Sequence, residues 1–284
     1  MSFNAIKLLV VNLGQGLGRF GAVIIPLVLL MAACAGQPPR PFPEQPDQWL
    51  QVEGFELAVF ENIGANSEFL HIYLDGDGRP VDPARLTPSV DPTPRDALVL
   101  ELMKSDPAHS VYLGRPCYFR PDLSPCQSEL WTTARYGPRV IEVLCAAVQQ
   151  LAAEAGRPVA LFGFSGGGAL AVLVASCAES VSSVITINGN LDTALWARLR
   201  GFLPLEGSLN PVDVGLPGRV TRRVYLVGEN DVVVPPRVSI SFSASVPGRM
   251  FTLPEFTHTC CWIDVWPELL ADIAAAEVKN TEAN

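Results

Sequence analysis

One serine of this chain stands in a sequence context that suits a nucleophile. Between residues 158 and 176 the chain reads PVALFGFSGGGALAVLVAS, in which an apolar, β-branched run ends around Ser165 and a helix-forming run follows. This is the G-x-S-x-G pattern of a serine on a tight strand-to-helix turn. The small neighbours permit a strained backbone, and the following helix directs free N–H groups at the same place. The pattern predicts a nucleophilic Ser165, the alternative being an idle serine in a glycine-rich turn.

A nucleophilic serine needs a base that accepts its proton and an acid that fixes the tautomer of that base. His258 follows the last predicted strand in the loop PEFTHTCCW, and Asp231 follows the predicted strand RVYLVG. The order Ser165, Asp231, His258, each just beyond a strand, matches the nucleophile–acid–base order expected with such a turn. Asp192 and Glu229 are rival acids.

The two other histidines suit different roles. His71 lies within a predicted strand and His109 precedes one. The first position is typical of core packing or of support for a site, and the second of a surface loop.

Acyl transfer at a serine also requires two N–H donors for the oxyanion of its tetrahedral intermediate. The backbone N–H of Gly166, next to the nucleophile, is the first candidate. The second is expected in the loop YLDGDG after the predicted strand 69–74, at Asp77 or its neighbour Gly76. The DGDG sequence also suits a calcium loop, but the spacing and closing glutamate of an EF-hand are absent.

Strand and helix patterns alternate along the rest of the chain. Helical periodicity is clearest over residues 137–155, and further strands are predicted at 55–60, 110–113, 184–188, 223–228 and 250–253. Buried strands separated by helices predict an α/β fold with a mostly parallel, twisted sheet flanked by helices. The alternation breaks down near 191–220 in a proline- and glycine-containing insertion. We expect either a cap over the site or a surface excursion there.

Together these motifs make the chain resemble the α/β-hydrolase superfamily over essentially all of its length after the N-terminal segment. The resemblance implies Ser165 as nucleophile, Asp231 as acid, His258 as base, and the backbones of Asp77 and Gly166 as oxyanion donors. The chain is also similar to a group of bacterial exported or lipoprotein hydrolases through the segments YLDGDG, DPTPR, LGRPC, GFSGGGALA, NGNLD and SLNP. It departs from the wider superfamily in the loop before the oxyanion residue, where Asp-Gly replaces the usual His-Gly. The HGGG motif of one lipase and esterase branch is absent, so the substrate class is not indicated.

The N-terminal segment has the pattern of an export signal. Residues 1–33 contain two basic residues, no acidic residue and the apolar run AVIIPLVLLMAA, as secretory signals do. The sequence MAAC ending at Cys34 resembles the bacterial lipobox, with methionine where leucine is usual. We therefore expect a lipid anchor on Cys34, or ordinary cleavage that leaves this cysteine unmodified. A proline-rich tether is predicted at 34–49 and the catalytic domain at 50–284.

The charge and the cysteines limit the partners and the compartment. A formal net charge of −9 without a basic cluster argues against nucleic acid. Six cysteines besides Cys34, an even number in an exported chain, predict disulfides. Cys117 and Cys126 bracket a proline-rich loop and are the first candidate pair. A second candidate pair is Cys145 with Cys177, whose helices are expected to pack side by side. Cys260 and Cys261 bridge each other or pair elsewhere.

We expect no metal and no cofactor. The sequence has no C-x₂-C pair with a matching second pair, and no G-x-G-x-x-G follows a predicted strand.

These observations predict a cofactor-independent serine hydrolase that cleaves an ester or thioester of a small-molecule or acyl substrate. It is expected in the bacterial cell envelope, lipid-anchored and facing the periplasm, or secreted. The alternatives are a peptidase or amidase with the same triad, a catalytically silent binding module, and a scaffolding lipoprotein. The sequence indicates neither the substrate nor the oligomeric state.

Overall fold

The computed structural model describes residues 39–281, with side chains up to residue 274. The predicted signal at 1–33 and the lipidation candidate Cys34 lie outside the described residues. Within this part of the chain, no helix combines the length and the apolar character needed to cross a membrane. The strands are β1 (Gln48–Val52), β2 (Phe55–Asn62), β3 (Leu70–Leu74), β4 (Val81–Asp82), β5 (Thr87–Pro88), β6 (Ser110–Leu113), β7 (Val159–Phe164), β8 (Val181–Ile187), β9 (Arg222–Gly228) and β10 (Arg249–Leu253). The helices are α1 (Leu98–Lys104), α2 (Pro138–Ala155), α3 (Gly166–Cys177), α4 (Thr193–Arg200), α5 (Pro211–Val214), α6 (Pro236–Ser245) and α7 (Trp262–Thr281), and a short 3₁₀ helix spans Ser128–Trp131.

Eight of the strands form one sheet in the order β1-β2-β6-β3-β7-β8-β9-β10, while β4 and β5 pair in a separate small hairpin. The pairs β1–β2 and β2–β6 are antiparallel, and every pair from β6 to β10 is parallel. The mostly parallel sheet predicted from the sequence is thus confirmed. Because parallel strands end at one edge of a sheet, the loops after β3, β7, β8, β9 and β10 meet there.

Helices cover both faces of the sheet and divide the core in two. On one face, α2 and α3 pack together over β7 and share a core with Phe242 of α6. On the other face, α1 and α7 pack against each other, and Trp262 and Trp266 are fully buried there. The central strand β7 is buried along its whole length, as expected for a strand covered on both faces.

Three disulfides are present among the described residues. Cys117 pairs with Cys126 across the proline-rich loop, and Cys145 of α2 pairs with Cys177 at the end of α3. Cys260 and Cys261 bridge each other directly, which is one of the two possibilities that the sequence left open.

The structure departs from the sequence-based description of the tether. The sheet already begins at Gln48, within the segment predicted as a tether. Arg40 forms a salt bridge with Asp96, and the ring of Phe42 lies 5.2 Å from that of Phe119. Apolar and charged side chains thus pack residues 40–49 onto the sheet, and the folded unit extends before residue 50.

The insertion at 191–220 is also more ordered than its sequence suggests. It contains α4 and α5, and the carboxylate of Asp192 accepts a hydrogen bond from the N–H of Leu195 (2.9 Å), capping α4. The insertion lines the cavity described below through Trp196 and residues 202–205, so it forms part of one wall of that cavity.

Candidate active site

Ser165 is the residue between the end of β7 and the start of α3. Its backbone has φ 53° and ψ −118°, a region that costs a residue with a side chain about 1–3 kcal/mol. Three hydrogen bonds hold it there: its N–H donates to the carbonyl of Ile187 (2.9 Å), and its carbonyl accepts from Gly168 (3.0 Å) and Asn190 (2.9 Å). The turn is therefore fixed to both β8 and α3.

The glycines beside Ser165 are required by close backbone contacts. A Cβ atom on Gly163 would lie 2.3 Å from the carbonyl oxygen of Gly167, and one on Gly167 would lie 2.1 Å from that of Leu74. Such distances are far inside van der Waals contact, so no larger residue fits without a shift of the backbone. The same glycines that define the sequence motif therefore allow α3 to start against β3.

The three residues that the sequence singled out lie in a continuous hydrogen-bonded chain. Oγ of Ser165 is 3.0 Å from Nε2 of His258, and Nδ1 of His258 is 2.7 Å from Oδ2 of Asp231. The Asp231 side chain is fully buried, whereas 14% of the His258 side chain is exposed. The second carboxylate oxygen of Asp231 accepts hydrogen bonds from the N–H groups of Val233 (2.8 Å) and Val234 (2.9 Å). Asp231 is thus held in place as an acceptor for the imidazole.

The rival acids lie elsewhere. Asp192 caps α4 and also accepts a hydrogen bond from Ser241 (2.8 Å), and Glu229 is exposed beyond the end of β9.

The other two histidines pair with different carboxylates. His71 lies 2.7 Å from Asp106, and His109 lies 2.7 Å from Glu61. Of the three histidines, only His258 contacts Ser165.

The two N–H groups that the sequence offered in the loop after β3 differ in their hydrogen bonds. The carboxylate of Asp75 accepts hydrogen bonds from the N–H of Gly76 (2.7 Å) and from the hydroxyl of Tyr112 (3.1 Å). Between residues 39 and 281, the N–H groups of Asp77 and Gly166 donate to no other residue. Of the two positions that the sequence offered in this loop, Gly76 is therefore engaged and Asp77 is free.

The side chain of Asp77 is bound by three neighbours, and no local sequence motif predicts these contacts. Its carboxylate oxygens accept hydrogen bonds from Arg115 (2.7 Å), Arg135 (2.9 Å) and the hydroxyl of Tyr136 (2.8 and 2.7 Å). The hydroxyl of Tyr118 donates to the Asp77 carbonyl (2.9 Å). These contacts fix the loop from both its side-chain and its backbone atoms.

The pKa values of the two aspartates in this loop are shifted in opposite directions. Burial raises the pKa of Asp75 to about 7, because its hydrogen bonds only partly compensate for the lost hydration. Burial also disfavours the ionised form of Asp77, but the charges of Arg135 and Arg115 outweigh it and lower the pKa of Asp77 to about 2. Near neutral pH, Asp77 is a carboxylate while Asp75 is partly protonated.

Ser165 and His258 open into a cavity of about 850 Å³. Most of its walls are apolar, and the insertion contributes one of them. The lining residues are Asp75, Gly76, Asp77, Gly78, Pro80, Val81, Leu86, Pro94, Arg95, Asp96, Leu98, Thr132, Thr133, Arg135, Phe164, Ser165, Asn190, Trp196, Phe202, Leu203, Pro204, Leu205, Val233, Val234, His258 and Thr259. Among the described residues, no cluster of histidine, cysteine, aspartate or glutamate is arranged to hold a metal ion.

Several solved structures share this architecture. An α/β serine hydrolase without a lid from Xanthomonas campestris superposes with a TM-score of 0.53 at 13% identity, over 83% of this chain and 97% of that chain. An esterase/lipase from an uncultured bacterium gives a TM-score of 0.54 at 18% identity, over 83% and 88% of the two chains. A puromycin-hydrolysing peptidase of Mycobacterium tuberculosis also gives 0.54, at 17% identity, over 80% of this chain and 38% of that one.

Comparison of the sequence with protein-family models and with curated proteins finds no match. At the identities of the structural matches, likeness establishes architecture and leaves the reaction open. Sheet order, strand directions and these similarities confirm the resemblance at the level of the fold. This chain has the α/β-hydrolase fold.

Proposed function

We propose that this protein is a serine hydrolase that cleaves an ester or thioester through an acyl-enzyme on Ser165. The observation that carries the proposal is the hydrogen-bonded chain from Ser165 through His258 to Asp231 at the wall of an open cavity. A structural role for these three residues would not require the serine hydroxyl to line a cavity. It would also not require the strained backbone of Ser165.

The chemistry follows from the positions of the atoms. Nε2 of His258 accepts the Ser165 proton as Oγ attacks the substrate carbonyl carbon, and Asp231 stabilises the resulting imidazolium. The carbonyl oxygen becomes an oxyanion that the free N–H groups of Gly166 and Asp77 bind. The intermediate collapses, and the alcohol or thiol leaves with the proton from His258. Water, activated by the same histidine, then hydrolyses the acyl-enzyme and regenerates Ser165.

The fold does not decide between ester and amide substrates, since both an esterase/lipase and a peptidase share it. Esters and thioesters are the leading proposal because their leaving groups depart more readily than an amine. A peptidase or amidase with the same triad is the second candidate. A binding module with a silent triad is the third.

A hydrolysis assay tests the proposal directly. We expect the protein to hydrolyse 4-nitrophenyl butyrate or a butyryl thioester, and Ser165→Ala to lower kcat by about 10⁴-fold or more. Ser243→Ala is the matched control, because among the described residues its hydroxyl bonds only to the carbonyl of Ile240 on α6. Turnover that survives Ser165→Ala would contradict the proposal. Cleavage confined to amides would favour the second candidate.

We further propose that the protein is exported and held at the bacterial envelope by a lipid on Cys34, facing the periplasm. The three disulfides support an oxidising compartment. In a bacterial host, Cys34→Ser should move the protein from the membrane fraction to the soluble fraction. Unchanged membrane association would contradict the lipid anchor, and a soluble unsubstituted protein would favour secretion.

A further inference from the structure

Two arginines share one full carboxylate beside the loop that follows β3, and one of them, Arg135, lines the cavity. Arg115 and Arg135 face a single full carboxylate, that of Asp77. The other buried acid of the loop, Asp75, is bound to Gly76 and Tyr112, and burial keeps part of it protonated near neutral pH. A buried positive charge without a full counter-charge is costly unless an anion joins it.

Arg135 has one hydrogen-bonding group left over. Its Nε donates to the carbonyl of Thr132, and its Nη1 donates to Asp77 (2.9 Å). In the described part of the chain, Nη2 donates to no residue. It is not fully enclosed either, so it keeps some accessible surface. The side chain is only 9% exposed, and Arg135 lines the cavity. The remaining surface of Nη2 is thus accessible, and the cavity that Arg135 lines also contains Ser165.

A second cation lines the same cavity. Arg95 is exposed, and within residues 39–281 it makes no hydrogen bond or ion pair. The adjacent Asp96 does not neutralise it, because Asp96 is bound by Arg40. The cavity thus combines apolar walls with one buried and one exposed guanidinium. Each has donors to spare.

On this basis, and resting on the function proposed above, we propose that the substrate of Ser165 carries a carboxylate that binds Nη2 of Arg135. Arg95 assists its entry and binding, and the apolar walls hold the rest of the molecule. A guanidinium fork suits this role because Arg135 can hold Asp77 with one arm and a substrate carboxylate with the other. The net charge of −9 gives no general attraction for anions, so recognition depends on these two side chains.

The charge beside Asp77 has a competing explanation, which is stabilisation of the oxyanion. In that case Arg135 would act on every substrate equally, because every acyl transfer forms the oxyanion. In the proposed role it acts only on substrates with a carboxylate. Matched pairs of neutral and anionic substrates separate the two roles.

The first experiment uses the unsubstituted protein and two such pairs. For the acyl side, 4-nitrophenyl hexanoate is compared with the 4-nitrophenyl monoester of adipic acid. For the alcohol side, phenyl butyrate is compared with 3-carboxyphenyl butyrate. We expect kcat/KM for the anionic member of one pair to be roughly 10- to 100-fold higher, the range of a charge-assisted hydrogen bond, and the preference to fall with added salt. Equal rates within both pairs, or faster hydrolysis of both neutral members, would overturn the proposal.

Two variants locate the preference. Arg135→Met should abolish it, and Arg95→Ala should reduce it several-fold through KM. Arg198→Ala is the matched control, because this exposed arginine of α4 does not line the cavity. Equal losses on neutral and anionic substrates in Arg135→Met would assign this arginine to the oxyanion or to the support of Asp77, and would overturn the proposal. If Arg135→Met fails to fold, the substrate pairs on the unsubstituted protein still decide whether a carboxylate is recognised. The comparison of Arg95→Ala with Arg198→Ala then tests the second cation, and an unchanged preference in Arg95→Ala overturns the role of Arg95.

The failure of this inference is distinguishable from that of the proposed function. Hydrolysis of neutral esters without any preference for their anionic partners would remove the carboxylate site alone. Absence of hydrolysis for all four esters, with Ser165 unreactive, would remove the hydrolase assignment itself.

Discussion

Replacement of Asp75 by asparagine tests whether burial raises the pKa of this carboxyl, which lies in the loop after β3. Burial raises the pKa of this carboxyl from 3.8 to about 7. The folded protein thus holds the Asp75 proton more tightly than the unfolded chain does. The contribution of this proton to stability is complete below about pH 4 and is lost as the pH rises to 7. A shift of roughly 3 pKa units corresponds to about 4 kcal/mol at most. Asparagine imitates the protonated acid, because its oxygen still accepts from Gly76 and its NH₂ group can donate to Tyr112.

We therefore expect Asp75→Asn to be nearly neutral at pH 4.5 and to raise the free energy of unfolding at pH 8 by ~1–4 kcal/mol. Urea unfolding of both proteins at several pH values between these limits measures the difference. Asp213→Asn, at an exposed position of α5, is the matched control and should show no such dependence on pH. A stability difference that is constant from pH 4.5 to 8, or destabilisation at pH 8, would refute the reasoning.

Three further predictions concern the strand-to-helix turn at Ser165, the proposed triad and the ion pairs of Asp77. Gly167→Ala should lower the free energy of unfolding by more than ~2 kcal/mol, because the new Cβ would lie 2.1 Å from the carbonyl oxygen of Leu74. Gly218→Ala is the control: no atom lies within 4 Å of its new Cβ, so the free energy of unfolding should change by less than ~0.5 kcal/mol. Equal urea midpoints for the two glycine variants would contradict the steric argument. Asp231→Asn should lower kcat for an ester by ~10³–10⁴-fold with unchanged folding, and a loss below tenfold would remove Asp231 from the triad. Asp77→Asn should destabilise the protein by ~2 kcal/mol at pH 7, because the pKa of Asp77 is lowered to about 2. Between pH 4 and 2, the free energy of unfolding of Asp77→Asn should fall less than that of the unsubstituted protein. An equal fall in the two proteins would contradict the stabilisation of the protein by the Asp77 carboxylate.

Much of the fold follows from local sequence patterns. The apolar run of β7 and the glycines after it predict the turn that carries Ser165, and helical periodicity predicts α2. Helix α6 has no such signal, since its sequence PRVSISFSAS is rich in serine, a weak helix former, and it is held by the burial of Val238 and Phe242. Strand β1 begins at the end of the segment predicted as a tether, and the sequence did not predict it because it is recognised only through its pairing with β2.

The site shows the same division. Ser165, Asp231 and His258 could be predicted from the sequence because each follows a strand that ends at one edge of the sheet. The neighbours of Asp77 could not be found in this way. Arg115 and Arg135 come from loops that are distant in sequence from residue 77 and follow no periodic pattern. Only the packing of the chain brings their guanidinium groups to one carboxylate.

The central claim is that Ser165 is a nucleophile activated by His258. Treatment of the purified, folded protein with a fluorophosphonate, followed by mass spectrometry of its peptides, tests this claim most directly. We predict a single adduct on Ser165 that is lost in His258→Ala. No adduct in a folded protein with its disulfides intact, or an adduct at another residue, would contradict the account.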